Sequence, residues 1–226
     1  MSDPHLPDKQ DAAVRAVAHV ASGMTVGLGT GSTVDLAITE LGRRIASGAL
    51  RDVRGVPTSV ATRRCAESHG IPLTTLEEHP TLDLTIDGAD EVDPDGNLIK
   101  GHGGALLREK IVATCSRRLL IIIDPSKLVT ILGEKRALPV EIVDFGWSTH
   151  LDSLRALGAE PALRLTTGGE PYRTDGGHVI IDALFAGGIA APQRVEGMLR
   201  ARPGVVETGL FLGFAPEVIV GDPEVA

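Results

Sequence analysis

Four short stretches of this 226-residue chain combine residue types that can hold an anion or move a proton. The first is Gly27-Leu28-Gly29-Thr30-Gly31-Ser32-Thr33, set between an apolar run and a helical pattern. Glycines let backbone come close to a ligand, a helix start offers N–H groups, and Thr30, Ser32 and Thr33 add hydroxyls. That is the chemistry of a phosphate cradle, although a tight strand–helix turn with capping hydroxyls has the same composition. The P-loop lysine is absent and the spacing is not GxGxxG. The second stretch is Asp87-Gly88-Ala89-Asp90-Glu91. Carboxylates clustered behind an apolar strand suit acid–base work. A solvated acidic turn, a helix start or a calcium loop share that composition. Glu91 to Gly96 imitates the start of an EF-hand, but the loop's last ligand position falls on His102 rather than Glu.

The third stretch is Lys100-Gly101-His102-Gly103-Gly104-Ala105, followed by Arg108-Glu109-Lys110. A cation beside a glycine run surrounds a developing oxyanion with positive charge and backbone N–H donors. Glu109 falls in the first turns of the next helix, where the dipole favours an acid whether or not it reacts. The fourth is Asp124-Pro125-Ser126-Lys127, a strand-end turn that carries a cation. A lone surface Lys of this kind is ordinarily just solvated.

Alternating strands and helices must position these turns. Helical patterns cover residues 9–21, 32–45, 60–69 and 106–113, with Ser32 expected as the N-cap of the second. Strands are expected at 25–28, 53–57, 82–86 and 119–123. Such units imply an α/β fold: a Rossmann-like, doubly wound, mainly parallel sheet whose ligands bind at the carboxyl ends of strands. Gly29, Asp87 and Asp124 all fall at such ends. After Gly133 the order becomes β-α-β-β-α-β: strand 140–143, helix 149–157, strands 162–165 and 179–182, helix 192–200, strand 205–208. That is the ferredoxin-like α+β arrangement. We expect a main domain over 1–133, completed by 208–226 with a returning strand at 218–220, and a smaller inserted domain over 134–207.

Composition narrows the function. A formal net charge of −8 gives no basic face for nucleic acid or an anionic membrane. Cys65 and Cys115 stand far apart, outside any metal-binding or CxxC spacing, which suits a reduced, cytoplasmic protein. The His residues form no HxxxH or HxH pair, so no metal site is expected.

Taken together, the turns resemble the type A ribose-5-phosphate isomerase family. The matching stretches are VGLGTGST from Val26, TIDGADE from Thr85, IKGHGGALLREK from Ile99 and DPSKLV from Asp124. LPVEIV from Leu138 and GLFLGFAPEVIVG from Gly209 match as well. The resemblance implies a Rossmann-like domain with an α+β insertion, a homodimer or dimer of dimers, and no cofactor or metal. It also implies the reaction: D-ribose 5-phosphate and D-ribulose 5-phosphate interconverting through an enediolate, in the pentose phosphate pathway.

The residues carry over as follows. Thr30, Gly31, Ser32 and Thr33 bind substrate, as do Asp87, Gly88, Ala89 and Asp90 of the DGAD turn. Lys100, Gly101, His102 and Gly103 form the third binding turn; His102 is a departure, at a position often Gly in the family. Glu109 is the proton acceptor, Asp87 shuttles the hydroxyl proton, and Lys100 stabilises the oxyanion. Asp90 orients the sugar or helps open its ring. One or both of Lys127 and Lys9, the latter near the N-terminus, hold the phosphate or sugar hydroxyls with Thr30, Ser32 and Thr33. A hexosamine-phosphate deaminase or sugar-phosphate lactonase should not carry DGAD and KGxGGAL together. A sugar-phosphate-sensing effector domain would need an attached helix-turn-helix.

Overall fold

The computed structural model describes residues 3–222; the outermost ends of the expected main domain, residues 1–2 and 223–226, lie outside the described residues. In chain order the elements are α1 (Leu6–Val17), β1 (Thr25–Leu28), α2 (Ser32–Ala46), β2 (Arg54–Pro57), α3 (Val60–Ser68) and β3 (Leu84–Asp87). Next come β4 (Glu91–Val92), β5 (Leu98–Ile99), α4 (Leu106–Thr114), β6 (Leu119–Ile123) and β7 (Leu138–Ile142). The rest are α5 (Leu151–Ala156), β8 (Ala159–Leu163), β9 (Val179–Phe185), α6 (Pro192–Arg200), β10 (Val205–Thr208), β11 (Leu210–Phe211) and β12 (Glu217–Val220).

The chain forms two compact units. The first comprises the chain up to Ala89, Arg108–Lys127, and the chain from Ala215. Its five-stranded sheet runs β12-β6-β3-β1-β2, with every neighbouring pair parallel. Parallel central strands are covered on both faces and read as unbroken apolar runs; β6, Leu-Leu-Ile-Ile-Ile, is buried throughout. Val26, Leu28, Ile86, Leu120 and Ile122 pack against Ala13 and Val17 of α1 and Val34, Ile38 and Leu41 of α2. Val56, Leu82 and Val112 form a separate cluster with Leu76. After β1 the chain adds β2 on one side and β3 on the other. That reversal opens a crevice at the strands' carboxyl ends, where the sequence places Gly29 and Asp87.

The second unit comprises Asp90–Leu107 and Leu128–Phe214. Its antiparallel sheet, ordered β10-β7-β9-β8, has the ferredoxin-like order. Val140, Ile142, Val179 and Ile181 pack with Leu154 of α5 and Val195 and Leu199 of α6. A small sheet, β11-β5-β4, completes it.

This division differs from the expected boundaries of 134 and 207. Residues 90–107, 128–133 and 208–214 group with the second unit, and the chemistry of three contacts explains why. The Glu91 carboxylate, fully buried, accepts hydrogen bonds from the N–H groups of Gly133, Lys135 and Arg136. Leu98 and Ile99 pair with Phe211 and Leu210. Gly209 donates to the Pro139 carbonyl at 2.7 Å.

Three local expectations are corrected. Ser32 is the first residue of α2, and the cap is Gly31 at φ 134°, a conformation that favours glycine. The helix expected at 149–157 divides into a 3₁₀ turn, Trp147–His150, and α5. The strand expected at 162–165 lies at Ala159–Leu163, while Leu165 bridges Pro171. The one-sided alternation of Ala159 to Leu163 was hidden by its small and charged members, Ala, Glu and Pro.

Candidate active site

In the first unit, the ends of β1 and β3 are locked together. Asp87 is 1 % exposed, and its Oδ1 accepts from Gly88 N at 2.7 Å and Thr30 N at 3.3 Å. Gly29 donates to the Ile86 carbonyl at 2.9 Å. An added Cβ on Gly29 would stand 2.0 Å from Asp87 Oδ1 and 2.7 Å from Asp87 Cα. Glycine is therefore required here by the neighbouring carboxylate.

The Thr30 hydroxyl is committed to the scaffold. It lies 2.8, 2.9 and 3.0 Å from the hydroxyls of Thr58, Ser59 and Thr62. Thr62 in turn donates to the Gly29 carbonyl at 2.7 Å, and Ser59 caps α3 by accepting from Thr62 N. Sequence reasoning missed this cluster. The Ser59-x-x-Thr62 spacing at the start of α3 was the signal that could have found it. Ser32 and Gly31 stay exposed and Thr33 half-buried.

Lys9 of α1 reaches this same turn. Its Nζ donates to Ser32 Oγ at 3.1 Å and to Asp3 at 2.7 Å, and that contact lowers the pKa of the Asp3 carboxyl. Lys9 therefore lies beside the Gly-rich turn. Lys127 closes a 3₁₀ turn after β6. Asp124, 1 % exposed, shapes that turn by accepting from the backbone N and hydroxyl of Ser126.

Glu109 lies in the first turn of α4 yet is only 3 % exposed. A carboxylate present merely to complement a helix dipole has no reason to leave water. One oxygen of each acid, Asp87 Oδ2 and Glu109 Oε2, is sealed from solvent. Buried carboxyls are the material of acid–base sites.

In the second unit, Asp90 Oδ2 accepts from His102 N at 3.0 Å. Lys100 is 3 % exposed, with Nζ 5.6 Å from the Phe211 ring centre. Gly101 has φ 111° and no room for a Cβ, which would meet Leu106 at 2.8 Å. The His102 ring is turned to the Ala137 carbonyl, 3.0 Å from Nε2. That engagement uses the side chain as an anchor. The acidic run that looked like one cluster divides three ways: Asp87 belongs to the first unit, Asp90 holds the glycine turn, and Glu91 fastens residues 133–136. The EF-hand imitation is a hairpin in which Asp93 accepts from Asp95 N, Asn97 N and Asn97 Nδ2. Among the described residues no group of His, Cys, Asp and Glu is arranged to hold a metal ion.

The matches that span nearly the whole chain fall in one family. Residues 54–225 match the family described as ribose 5-phosphate isomerase A (phosphoriboisomerase A). Ribose-5-phosphate isomerase A of Roseiflexus castenholzii is 50 % identical over 222 residues, covering 98 % of this chain and 94 % of the relative. The Gloeobacter violaceus protein of the same name is 54 % identical over 215 residues, covering 95 % and 92 %. A solved D-ribose-5-phosphate isomerase in complex with phospho-erythronic acid superposes with TM-score 0.91 at 39 % identity, covering 94 % of this chain and 93 % of that one. The Methanocaldococcus jannaschii ribose 5-phosphate isomerase A structure gives TM-score 0.89 at 39 % identity, covering 96 % and 95 %. With the sequence and the fold both matched over nearly their whole length, the chain belongs to the ribose 5-phosphate isomerase A family.

Proposed function

We infer that the chain interconverts D-ribose 5-phosphate and D-ribulose 5-phosphate by moving a proton between C2 and C1 through an enediolate. The observation that carries the chemistry is the burial of Asp87 and Glu109, two acids at the end of a parallel strand and the start of a helix. An aldose–ketose isomerisation needs a carboxylate base, an oxyanion stabiliser and a group that moves the hydroxyl proton. Glu109 takes the carbon-bound proton. Lys100 and the backbone N–H groups after it that Asp90 does not occupy stabilise the oxyanion. Asp87 shuttles the hydroxyl proton, and Asp90 orients the sugar or helps open its ring.

Gly31, Ser32 and Thr33 present the start of α2 to the anionic end or the sugar hydroxyls, supported by Lys9 and Lys127. Thr30 serves mainly by fixing the turn. Gly88 and Ala89 complete the DGAD wall, and His102 contributes backbone more than ring. The reaction in this scheme uses no metal and no cofactor. The same reading takes the working form to be a homodimer or dimer of dimers in the cytoplasm, serving the pentose phosphate pathway. No helix among the described residues is long and apolar enough to cross a membrane.

The test is turnover of ribose 5-phosphate by the purified protein, with and without exhaustive chelation. Equal ketose formation in both is expected. No turnover at all would remove the activity. Turnover lost on chelation and restored by one divalent ion would leave the activity but overturn the metal-free mechanism.

A further inference from the structure

The glycine turn of the second unit is gripped from one side by groups that no part of the scheme above uses. Arg164 follows β8 and its side chain is 12 % exposed. Its Nε donates to Asp182 Oδ2 at 2.8 Å and its Nη2 to Asp182 Oδ1, a two-pronged carboxylate pair. The remaining nitrogen, Nη1, donates to the carbonyls of Gly101 at 2.8 Å and His102 at 3.1 Å. The guanidinium stands 5.8 Å from the centre of the Tyr172 ring, and Tyr172 Oη donates to the Gly103 carbonyl at 3.4 Å. Three consecutive carbonyls are therefore drawn to one pair of side chains.

A trans peptide holds its N–H antiparallel to its C=O, and there is no cis peptide bond among the described residues. Fixing the Gly101 and His102 carbonyls thus aims the N–H groups of His102 and Gly103 away from Arg164. The His102 N–H meets Asp90 there. The Gly103 N–H makes no hydrogen bond among the described residues, and Gly103 is exposed. Gly104 N closes the turn on the Gly101 carbonyl at 3.0 Å.

We propose that Arg164 is a positioning residue of the isomerase reaction, orienting the 102–103 peptide so that the Gly103 N–H becomes an oxyanion donor. This rests on the proposed role of the turn as the oxyanion-stabilising element. Only a planar guanidinium can occupy both oxygens of Asp182 and still reach two carbonyls; a lysine has one nitrogen for all four acceptors. The turn needs such a hold because Gly101 and Gly104, at φ 111° and 78°, give it little stiffness of its own.

The experiment is Arg164→Lys in the full chain, read by kcat, by thermal melting, and by two inhibitors. 4-Phosphoerythronate carries a carboxylate where the enediolate carries its oxygens, whereas ribitol 5-phosphate carries none. Loss of an aligned donor should lower kcat about tenfold to a hundredfold. The inhibition constant of phosphoerythronate should rise in parallel, by about tenfold or more, while that of ribitol 5-phosphate changes by less than about threefold. A merely structural role would reduce the folded fraction and leave both constants alone. Equal weakening of both inhibitors, no change in either, or kcat within about twofold of wild type overturns the proposal. If Arg164→Lys does not fold, Asp182→Asn decides it by the same ratio of constants. Wild-type protein without turnover would instead sink the isomerase reading itself.

Discussion

Gly29 at the end of β1 and Asp87 at the end of β3 touch so closely that the hydrogen on Gly29 Cα occupies space no methyl could enter. The nearest Asp87 atom would be 2.0 Å from an added Cβ, and Asp87 Cα, which cannot swing aside, 2.7 Å. Gly29→Ala must therefore spread the two strand ends or drive Asp87 out of position. Overpacking of this kind costs about 1–3 kcal/mol, and a displacement of about 1 Å at a reacting group costs about a hundredfold in rate. We expect a lower melting temperature together with a kcat reduced by that order. A variant with wild-type kcat and Tm would show that Asp87 does not need its observed place.

Lys127 and Asp87 should separate in kinetics. A cation that holds the anionic end or a sugar hydroxyl binds ground state and transition state alike, whereas a proton-shuttling carboxylate acts in the transition state. Lys127→Ala is expected to raise KM for ribose 5-phosphate far more than Asp87→Asn does. Lys127→Ala with reduced kcat and unchanged KM would contradict the assignment.

The parallel half of the fold was legible because its signals are local. The apolar run of β6, the switch from strand to helix at the Gly-rich turn and the Asp at the end of β3 are each read within a span of a few residues. The α6 and β10 boundaries were legible for the same reason, with Pro192 opening the helix. What the sequence hid depends on partners far along the chain. Glu91 meets its N–H donors more than forty residues later, and two-residue strands such as β4, β5 and β11 have no periodicity to read. Ser32 looked like a cap because Ser is a favoured cap. The structure gives that place to Gly31 and leaves the Ser32 hydroxyl to Lys9. Arg164 carried no signal at all, since two of its acceptors are backbone carbonyls about sixty residues upstream and the other is a carboxylate on a different strand, Asp182.

Protonation of His150 should weaken the second unit. The imidazole is 4 % exposed, and Arg202 Nε donates to its Nδ1 at 3.1 Å, which requires the neutral ring. Burial, with the Arg202 charge adding to it, holds the pKa below its ordinary 6.5. A base with a depressed folded-state pKa contributes stability that is fully present above the unfolded value. That contribution is lost as pH falls from about 6.5 through the folded-state value. Melting temperature should therefore fall between pH 7.5 and 5.5 more steeply in the wild type than in His150→Gln. Equal slopes would assign the acid sensitivity to the carboxylates alone.

The proposed mechanism depends most on Glu109. As a helix-start acid acting only through the dipole, it would be worth under about 1 kcal/mol, and Glu109→Gln would hardly touch the rate. Its 3 % exposure argues against that role, since dipole compensation works equally well in water. As the base at C1 and C2, Glu109 cannot be replaced by Gln, which has nearly the same shape but accepts no such proton. General acid–base catalysis is typically worth about 10²–10⁴-fold, so Glu109→Gln should lose at least that much kcat. Folding and affinity for a non-reacting sugar phosphate should stay near wild type. In deuterated water the wild type should place solvent deuterium on C1 of the ketose, because a carboxylate that holds the proton between steps can exchange it. Retention of more than about a tenth of wild-type kcat by Glu109→Gln would remove this residue from the base role and pass it to Asp87, the buried acid at the end of β3.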